Sequence, residues 1–234
     1  TTAKRHHINQ ILFRKTSDYR FIVDTSNSGL MQRMATNVKP LGQIAEFYNG
    51  IKTGDNKRFL SDKKLDAKHR EVIRGRDVQR YRIEYGNGFV YFDPEQLWSN
   101  TNETKLRKKP KIVVRQTGDS IVAALDDQGC LTLDTTHLIF DTAIAIKAQL
   151  AILNSRLMNW FYQRLVEEVG RTFAEVKIVN LKKLPISSNA FDAKKQQQLV
   201  GLVDRILTAK RKNPAADTSE MEQEIDRHVY ALYG

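Results

Sequence analysis

Two hydrophobic rhythms follow one another along the chain. Between Gly50 and Asp141 short apolar runs alternate with turn-forming residues, and 89–92, 111–115, 121–125 and 131–140 read as strands. Asp126-Asp127-Gln128-Gly129 between two of them reads as a hairpin turn. From Thr142 the period lengthens: Ile146, Leu150, Leu153, Leu157, Phe161 and Leu165 predict one continuous helix, capped by Asp141 or Thr142 and ended by Gly170. A second helix is predicted from Asp192, with Leu199, Val203 and Ile206 on one face, until the stretch 210–216 with Pro214 breaks it. Ser219 and Glu222 match a capping box for a third, striped by Met221, Ile225, Val229 and Leu232. Upstream, 1–38 is polar and irregular apart from a strand candidate at 19–23. Pro40-Leu41-Gly42 reads as a turn, and 44–48 as a short strand or helical turn. The pattern predicts an α+β fold, a mixed and mostly antiparallel β-sheet body followed by helices that brace it. It divides into a lead-in at 1–40, a body at 41–190 and a C-terminal helical pair at 191–234.

Composition narrows the class. The 234 residues are 41% hydrophobic and 28% charged, enough for a sizeable core. Mean hydropathy is -0.50, and no apolar run is long enough to span a bilayer, which predicts no membrane partner. The first seven residues are polar and basic with no apolar stretch behind them, unlike a signal peptide. Cys130 is the single cysteine, so the expected home is the reducing cytoplasm. Charge changes the picture most: 38 Lys and Arg against 27 Asp and Glu give a net +11, which favours polyanionic partners.

Several enzyme classes lack their residues. The histidines are scattered, and one cysteine cannot build a zinc site. Cys130 sits beside a predicted turn in a strand-like context, which favours a structural role. Gly86-Asn87-Gly88 lacks the third glycine and following helix of a dinucleotide loop and reads as a hairpin turn. Glu175-Val176-Lys177 resembles half of a metal-dependent nuclease core, but the nearest acids, Glu167 and Glu168, fall on the end of the predicted helix. Asn213-Pro214 continues Ala-Ala where an adenine methyltransferase motif would continue Pro-Tyr.

Three segments gather cations beside hydrogen-bonding residues. In Gly50-Ile-Lys-Thr-Gly-Asp-Asn-Lys-Arg-Phe59, the candidates to donate to phosphates or base edges are Lys52, Thr53, Asn56 and Lys57. The second spans 68–82 and offers Arg74, Arg76 and Arg80 around Gly75 as anchors for successive phosphates. The third spans 105–116 and includes Lys109; beyond its strand, Arg115, Gln116 and Thr117 suit guanine and adenine edges. Arg171-Thr172, after Gly170, is a second candidate reading loop. Taken singly, each run reads first as a solvated surface, and Arg115 and Arg171 read equally as surface or ion-paired side chains.

The order of the segments is more specific than any one of them. The 50–59 stretch, Ile73-Arg-Gly-Arg-Asp-Val-Gln-Arg-Tyr81 and Lys109-Pro-Lys-Ile-Val-Val-Arg-Gln116 resemble, in sequence order, the TaqI-like C-terminal specificity domain. So do Leu133-Asp-Thr-Thr136, Ala151-Ile-Leu-Asn-Ser-Arg-Leu157, Gly170 with its flanks, Lys183-Leu-Pro-Ile186 and the tail from Glu224. The resemblance runs from about Leu41 onward. It implies a target-recognition domain akin to the halves of type I specificity subunits, binding double-stranded DNA and non-catalytic by itself. In that family the domain follows an adenine-N6 methyltransferase domain that binds S-adenosylmethionine, in restriction–modification or phage-defence enzymes, some of which also cleave DNA. No cofactor or metal is expected in these residues; the methyltransferase domain is the expected protein partner. Asn154-Ser155 reads as structural, and Trp160 as buried rather than stacked on a base. The rivals are a metal-dependent nuclease fragment using Glu175 and Lys177, and a basic protein–protein scaffold.

Overall fold

A computed structural model describes residues 28–166 and 174–234. In chain order the elements are α1 (Ser28–Met34), β1 (Val38–Pro40), β2 (Glu46–Asn49), α2 (Asn56–Phe59), β3 (Leu60–Ser61), β4 (His69–Ile73), β5 (Val78–Gln79), β6 (Arg82–Ile83) and β7 (Phe89–Tyr91). Then come α3 (Glu103–Leu106), β8 (Lys111–Arg115), β9 (Ala123–Asp126), β10 (Leu131–Thr132) and β11 (Thr136–Phe140). The last are α4 (Ile146–Asn154), α5 (Arg156–Val166), α6 (Ile178–Leu181), β12 (Pro185–Ser187), α7 (Ala193–Lys212) and α8 (Ser219–Tyr233). The fold is α+β, and of the strand pairs among the described residues only β10 with β4 is parallel.

The central sheet has the spatial order β2-β11-β8-β9. Its strands are apolar on both faces, so alternate residues serve two cores. Ile112, Val114 and Ile139 face the helices, where they meet Leu150, Leu153, Val203 and Val229. Val113, Leu138 and Phe140 face the second sheet, β10-β4-β7-β3, through Val72, Ile73 and Val90. The C-terminal pair α7 and α8 belongs to the helical core, and β1 pairs with β12 across the sequence.

Local polar chemistry redirects the chain where periodicity alone predicts continuity. The single helix from Thr142 is two, α4 and α5, broken at Ser155, whose backbone is extended (φ -63°, ψ 152°). Ser155 Oγ accepts the Met158 N–H at 3.1 Å, while Asn154 grips β9 from the end of α4. Its Oδ1 accepts the Ala123 N–H at 3.1 Å and its Nδ2 donates to the Ala123 carbonyl at 2.9 Å. The structural reading of Asn154-Ser155 thus acquires a mechanism. Neither Asp141 nor Thr142 caps α4: Asp141 pairs with Lys108, Thr142 Oγ1 donates to the Ile144 carbonyl, and Gln196 Oε1 accepts the Ala145 N–H. The predicted helix end at Gly170 and the strand at 19–23 lie outside the described residues.

The predicted strand 131–140 is likewise two, β10 and β11, separated by a turn in which the Thr136 N–H donates to the Leu133 carbonyl at 2.9 Å. Asp126-Asp127-Gln128-Gly129 is a turn but not a hairpin, because β9 pairs with β8 and β10 crosses to β4. Asp126 makes that turn by accepting the N–H groups of Gln128, Gly129 and Cys130. The same carboxylate meets Lys111 Nζ at 2.6 Å, both side chains 0% exposed. Lys111 therefore leaves the basic surface and becomes core, donating also to the carbonyls of Lys108 and Cys130. Gly86-Asn87-Gly88 is also no hairpin, since β6 pairs with β5 and β7 with β3 and β4. The irregular reading of 1–38 misses α1, which buries Met34. The third helix begins one residue earlier than the capping box predicts: Thr218 is its N-cap residue and donates its hydroxyl to Glu222.

Candidate nucleic-acid interface

Three basic segments far apart in sequence meet on one turn, Leu133-Asp134-Thr135-Thr136. From the first, the Ile51 carbonyl accepts the Asp134 N–H at 2.9 Å. Gly50 lets the chain press against Leu133, where a Cβ would fall 1.9 Å from the carbonyl oxygen. From the second, the Gly75 N–H donates to Thr135 Oγ1 at 2.8 Å. From the third, the Gln116 N–H donates to the Thr135 carbonyl at 2.9 Å. Because β10 ends at Thr132 in one sheet and β11 begins at Thr136 in the other, this turn is where the sheets join.

Around the turn, the candidate side chains divide into those facing solvent and those holding the loops. Lys52, Asn56 and Lys57 are exposed, as are Lys63 and Lys64 just beyond. Among the described residues none of these four lysines makes a close ion pair, although the Asp134 carboxyl lies near enough to Lys52 to feel its charge. Thr53 is buried and donates its hydroxyl to Asn56 Oδ1 at 2.6 Å, while Asp55 caps α2 through the N–H groups of Lys57 and Arg58. Arg76 projects outward with 68% of its side chain exposed. Gln116 is partly exposed and Thr117 exposed.

Other candidates are committed elsewhere. Arg115 turns back, its Nε donating to the carbonyls of Gly75 and Val78 at 3.1 Å each. It therefore ties the second segment to the third. Arg74 lies under Gly88 and reaches Asp62 at 3.4 Å. Arg80 points to the helices, donating to the Asn154 carbonyl at 2.5 Å and pairing with Glu222 on α8. Lys109 is exposed but lies before β8, whereas Gln116 lies after it, so the two stand at opposite ends of the strand, up to about 23 Å apart at roughly 3.3 Å per residue. Arg171 and Thr172 lie outside the described residues.

The segment 174–177 closes one side of this surface. Gly118 donates its N–H to the Ala174 carbonyl at 2.9 Å, and Val176 donates to the Gln116 carbonyl at 2.7 Å. His137 Nε2 stands 2.6 Å from the Val176 carbonyl, and burial pushes its imidazole below the usual value. Glu175 and Lys177 flank buried Val176 as exposed residues of that segment, and no group of three or more His, Cys, Asp or Glu among the described residues could hold a metal. Nothing in this arrangement favours the nuclease reading. Burial pushes the Cys130 thiol up to about 12, the setting of a structural cysteine rather than a nucleophile. Asp134 sits at the junction with its carboxyl raised by burial, against the pull of nearby Lys52. Trp160 is half-buried against the helical core with Arg164 over its ring. No described helix is long and apolar enough to cross a membrane.

Residues 70–186, half of the chain, match the family of the TaqI-like C-terminal specificity domain. The chain belongs to that family. Among solved structures, a type IIL restriction-modification enzyme, MmeI, in complex with DNA shares the fold at a TM-score of 0.53 and 12% identity. The alignment covers 84% of this chain and 33% of the MmeI chain. The HsdS subunit from Thermoanaerobacter tengcongensis aligns at a TM-score of 0.41 and 13% identity, over 89% of this chain and 51% of that one. A search of curated proteins gave no match. The chain thus spans about a third of the length of the MmeI chain and about half that of the HsdS subunit. The family match takes in the second and third basic segments and the turn that joins them, while Lys52 and its neighbours stand just ahead of it. Sequence reasoning had no signal for Trp98, which stands exposed beside Lys52 without a basic run of its own.

Proposed function

We propose that the chain reads a target sequence in double-stranded DNA for a restriction–modification enzyme. The observation that carries this reading is the junction at Thr135, which binds three basic segments into one surface within a specificity-domain fold. Lys52, Lys57, Lys63, Lys64 and Arg76 supply phosphate contacts that fix register without reading sequence. Asn56, Gln116 and Thr117 supply hydrogen-bonding groups for base edges, with Arg171 and Thr172 as further candidates. Arg115 and Thr53 hold the reading loops in place.

Methyl transfer belongs to a domain outside these residues, which we assign as an S-adenosylmethionine-dependent adenine-N6 methyltransferase. The Gly86-Asn87-Gly88 loop does not suit that cofactor: Gly88 is covered by the Arg74 guanidinium, and the loop leads into β7 rather than a helix. Extrusion of the target base is likewise the partner domain's task.

Fluorescence anisotropy of the full chain with labelled duplexes, titrated against salt, tests the reading. Binding whose logarithm falls linearly with the logarithm of salt, and which discriminates one duplex sequence from others, supports it. A flat salt response or equal affinity for all sequences overturns it. Cleavage that needs Mg²⁺ and is lost in Glu175→Gln would favour the nuclease instead.

A further inference from the structure

The loop between β7 and α3 carries no basic run, yet it presents the most exposed aromatic side chain among the described residues. Trp98 is 69% exposed, although an indole gains more from burial than most side chains. Its backbone is fixed. Lys52 and Ser99 exchange main-chain hydrogen bonds at 3.1 and 3.2 Å, and Asn100 Nδ2 donates to the Gly50 carbonyl at 3.1 Å. Leu97, next to it, is buried. Gly54, at φ +82°, lies along the ring, where a Cβ would stand 3.3 Å from Trp98 Cβ. The indole is therefore held outward by a rigid seat.

The Lys52 ammonium stands over that ring, 4.6 Å from its centroid. A lysine stem in water samples many rotamers, and an aromatic face beneath its head group holds the charge in one place. The ring is neutral, so it positions the cation without neutralising it, and the nearby acid is Asp134, whose carboxyl is raised by burial. The exposed Lys57 lies on the short helix α2 that follows, and the Thr135 junction is reached through Ile51.

We infer that Trp98 and Lys52 form a clamp on the DNA backbone, Lys52 taking a phosphate oxygen while the indole packs against the adjoining deoxyribose, and that neither reads a base. Resting as it does on the proposed DNA reading, the clamp adds an anchor point that joins Lys52, ahead of the family-matched segment, to Trp98 within it. Lys52 is the contact, and Trp98 both touches the sugar and positions the ammonium.

The test uses the full chain on a preferred duplex and on singly mismatched duplexes. Lys52→Ala and Trp98→Ala should each weaken binding about ten-fold on every duplex alike, and Lys52→Ala should lower the salt slope by about one. Trp98→Phe, which keeps an aromatic face, should recover most of the affinity. Trp98 fluorescence, taken as the difference between wild type and Trp98→Phe, should change as the duplex saturates. Unaltered melting of the exposed-site variants shows that they fold. Wild-type affinity and salt slope in both alanine variants, an unmoved Trp98 signal, or a changed base preference would each overturn the clamp while leaving DNA reading intact. Absence of DNA binding by the wild type would remove both.

Discussion

The hydroxyl of Thr135 accepts the main-chain N–H of Gly75 at 2.8 Å, across 60 residues of sequence. The neighbouring Thr135 carbonyl accepts the Gln116 N–H, so this one residue sets the spacing between the second and third basic segments. Spacing of this kind fixes register on a duplex, because phosphate contacts are useful to readout only at a constant distance from base contacts.

Thr135→Val keeps the side-chain shape and leaves the buried Gly75 N–H without an acceptor. The expected loss is about 1–3 kcal/mol, read from the urea midpoint at constant m-value. Gly75→Ala should cost more, because its Cβ would fall 2.6 Å from the Thr135 carbonyl oxygen. Both variants unfolding with the wild type would show that the junction does not hold the loops.

The arginines separate into two kinds, and their variants should separate too. Arg76→Ala, at an exposed site, should leave stability unchanged, weaken binding to all duplexes alike and lower the salt slope by about one. Arg80→Ala removes a pairing with Glu222 on the helical side, and should lower stability while leaving the salt slope as it was. Arg115→Ala should cost about 1–3 kcal/mol, because it withdraws a charged donor from the Gly75 and Val78 carbonyls. Paired salt titrations and denaturation curves distinguish the two kinds. A reduced salt slope in Arg80→Ala would contradict the division.

Much of this was legible in the sequence, and the omissions share a cause. Strand β8 falls where its apolar pattern puts it, and α7, predicted from Asp192, begins at Ala193 with Asp192 as its cap. The ordered basic segments point to the family by themselves. Periodicity did not show that Asn154 would turn back onto Ala123, nor that Asp126 would gather three N–H groups and a lysine. A polar residue breaks a helix or turns a strand through a partner far away in sequence, which residue order does not display. The same holds for Arg115: its position after a strand suited base reading, while its carbonyl partners lie 37 and 40 residues away. Trp98 carries no signal in the sequence, because one aromatic residue in a loop has no periodic neighbours to reveal whether it is buried.

Stability should fall in alkali. Burial raises the phenols of Tyr81, Tyr85 and Tyr233 above their ordinary value of about 10. Above about pH 10 the unfolded chain releases these protons while the folded chain keeps them, so stability is complete below that pH and is lost above it. Each tyrosine contributes up to about 1.4 kcal/mol per pH unit. The Lys111 ammonium, lowered by burial, acts the other way at lower pH: the folded state releases its proton first, and stability rises toward about 10. Urea denaturation from pH 8 to 11 should show the decline, with a smaller slope in Tyr81→Phe. An unchanged slope in that variant would contradict the assignment of Tyr81.

The central claim is that the surface joined at Thr135 reads a DNA sequence. Selection of bound duplexes from a random pool by the full chain tests it most directly, run side by side with Gln116→Ala. The account predicts convergence of the wild-type pool on one short motif, and a Gln116→Ala pool that keeps the motif but relaxes a single position, at a cost of about 1–3 kcal/mol on the preferred duplex. A wild-type pool that stays random, or a Gln116→Ala pool identical to the wild type at every position, would contradict it.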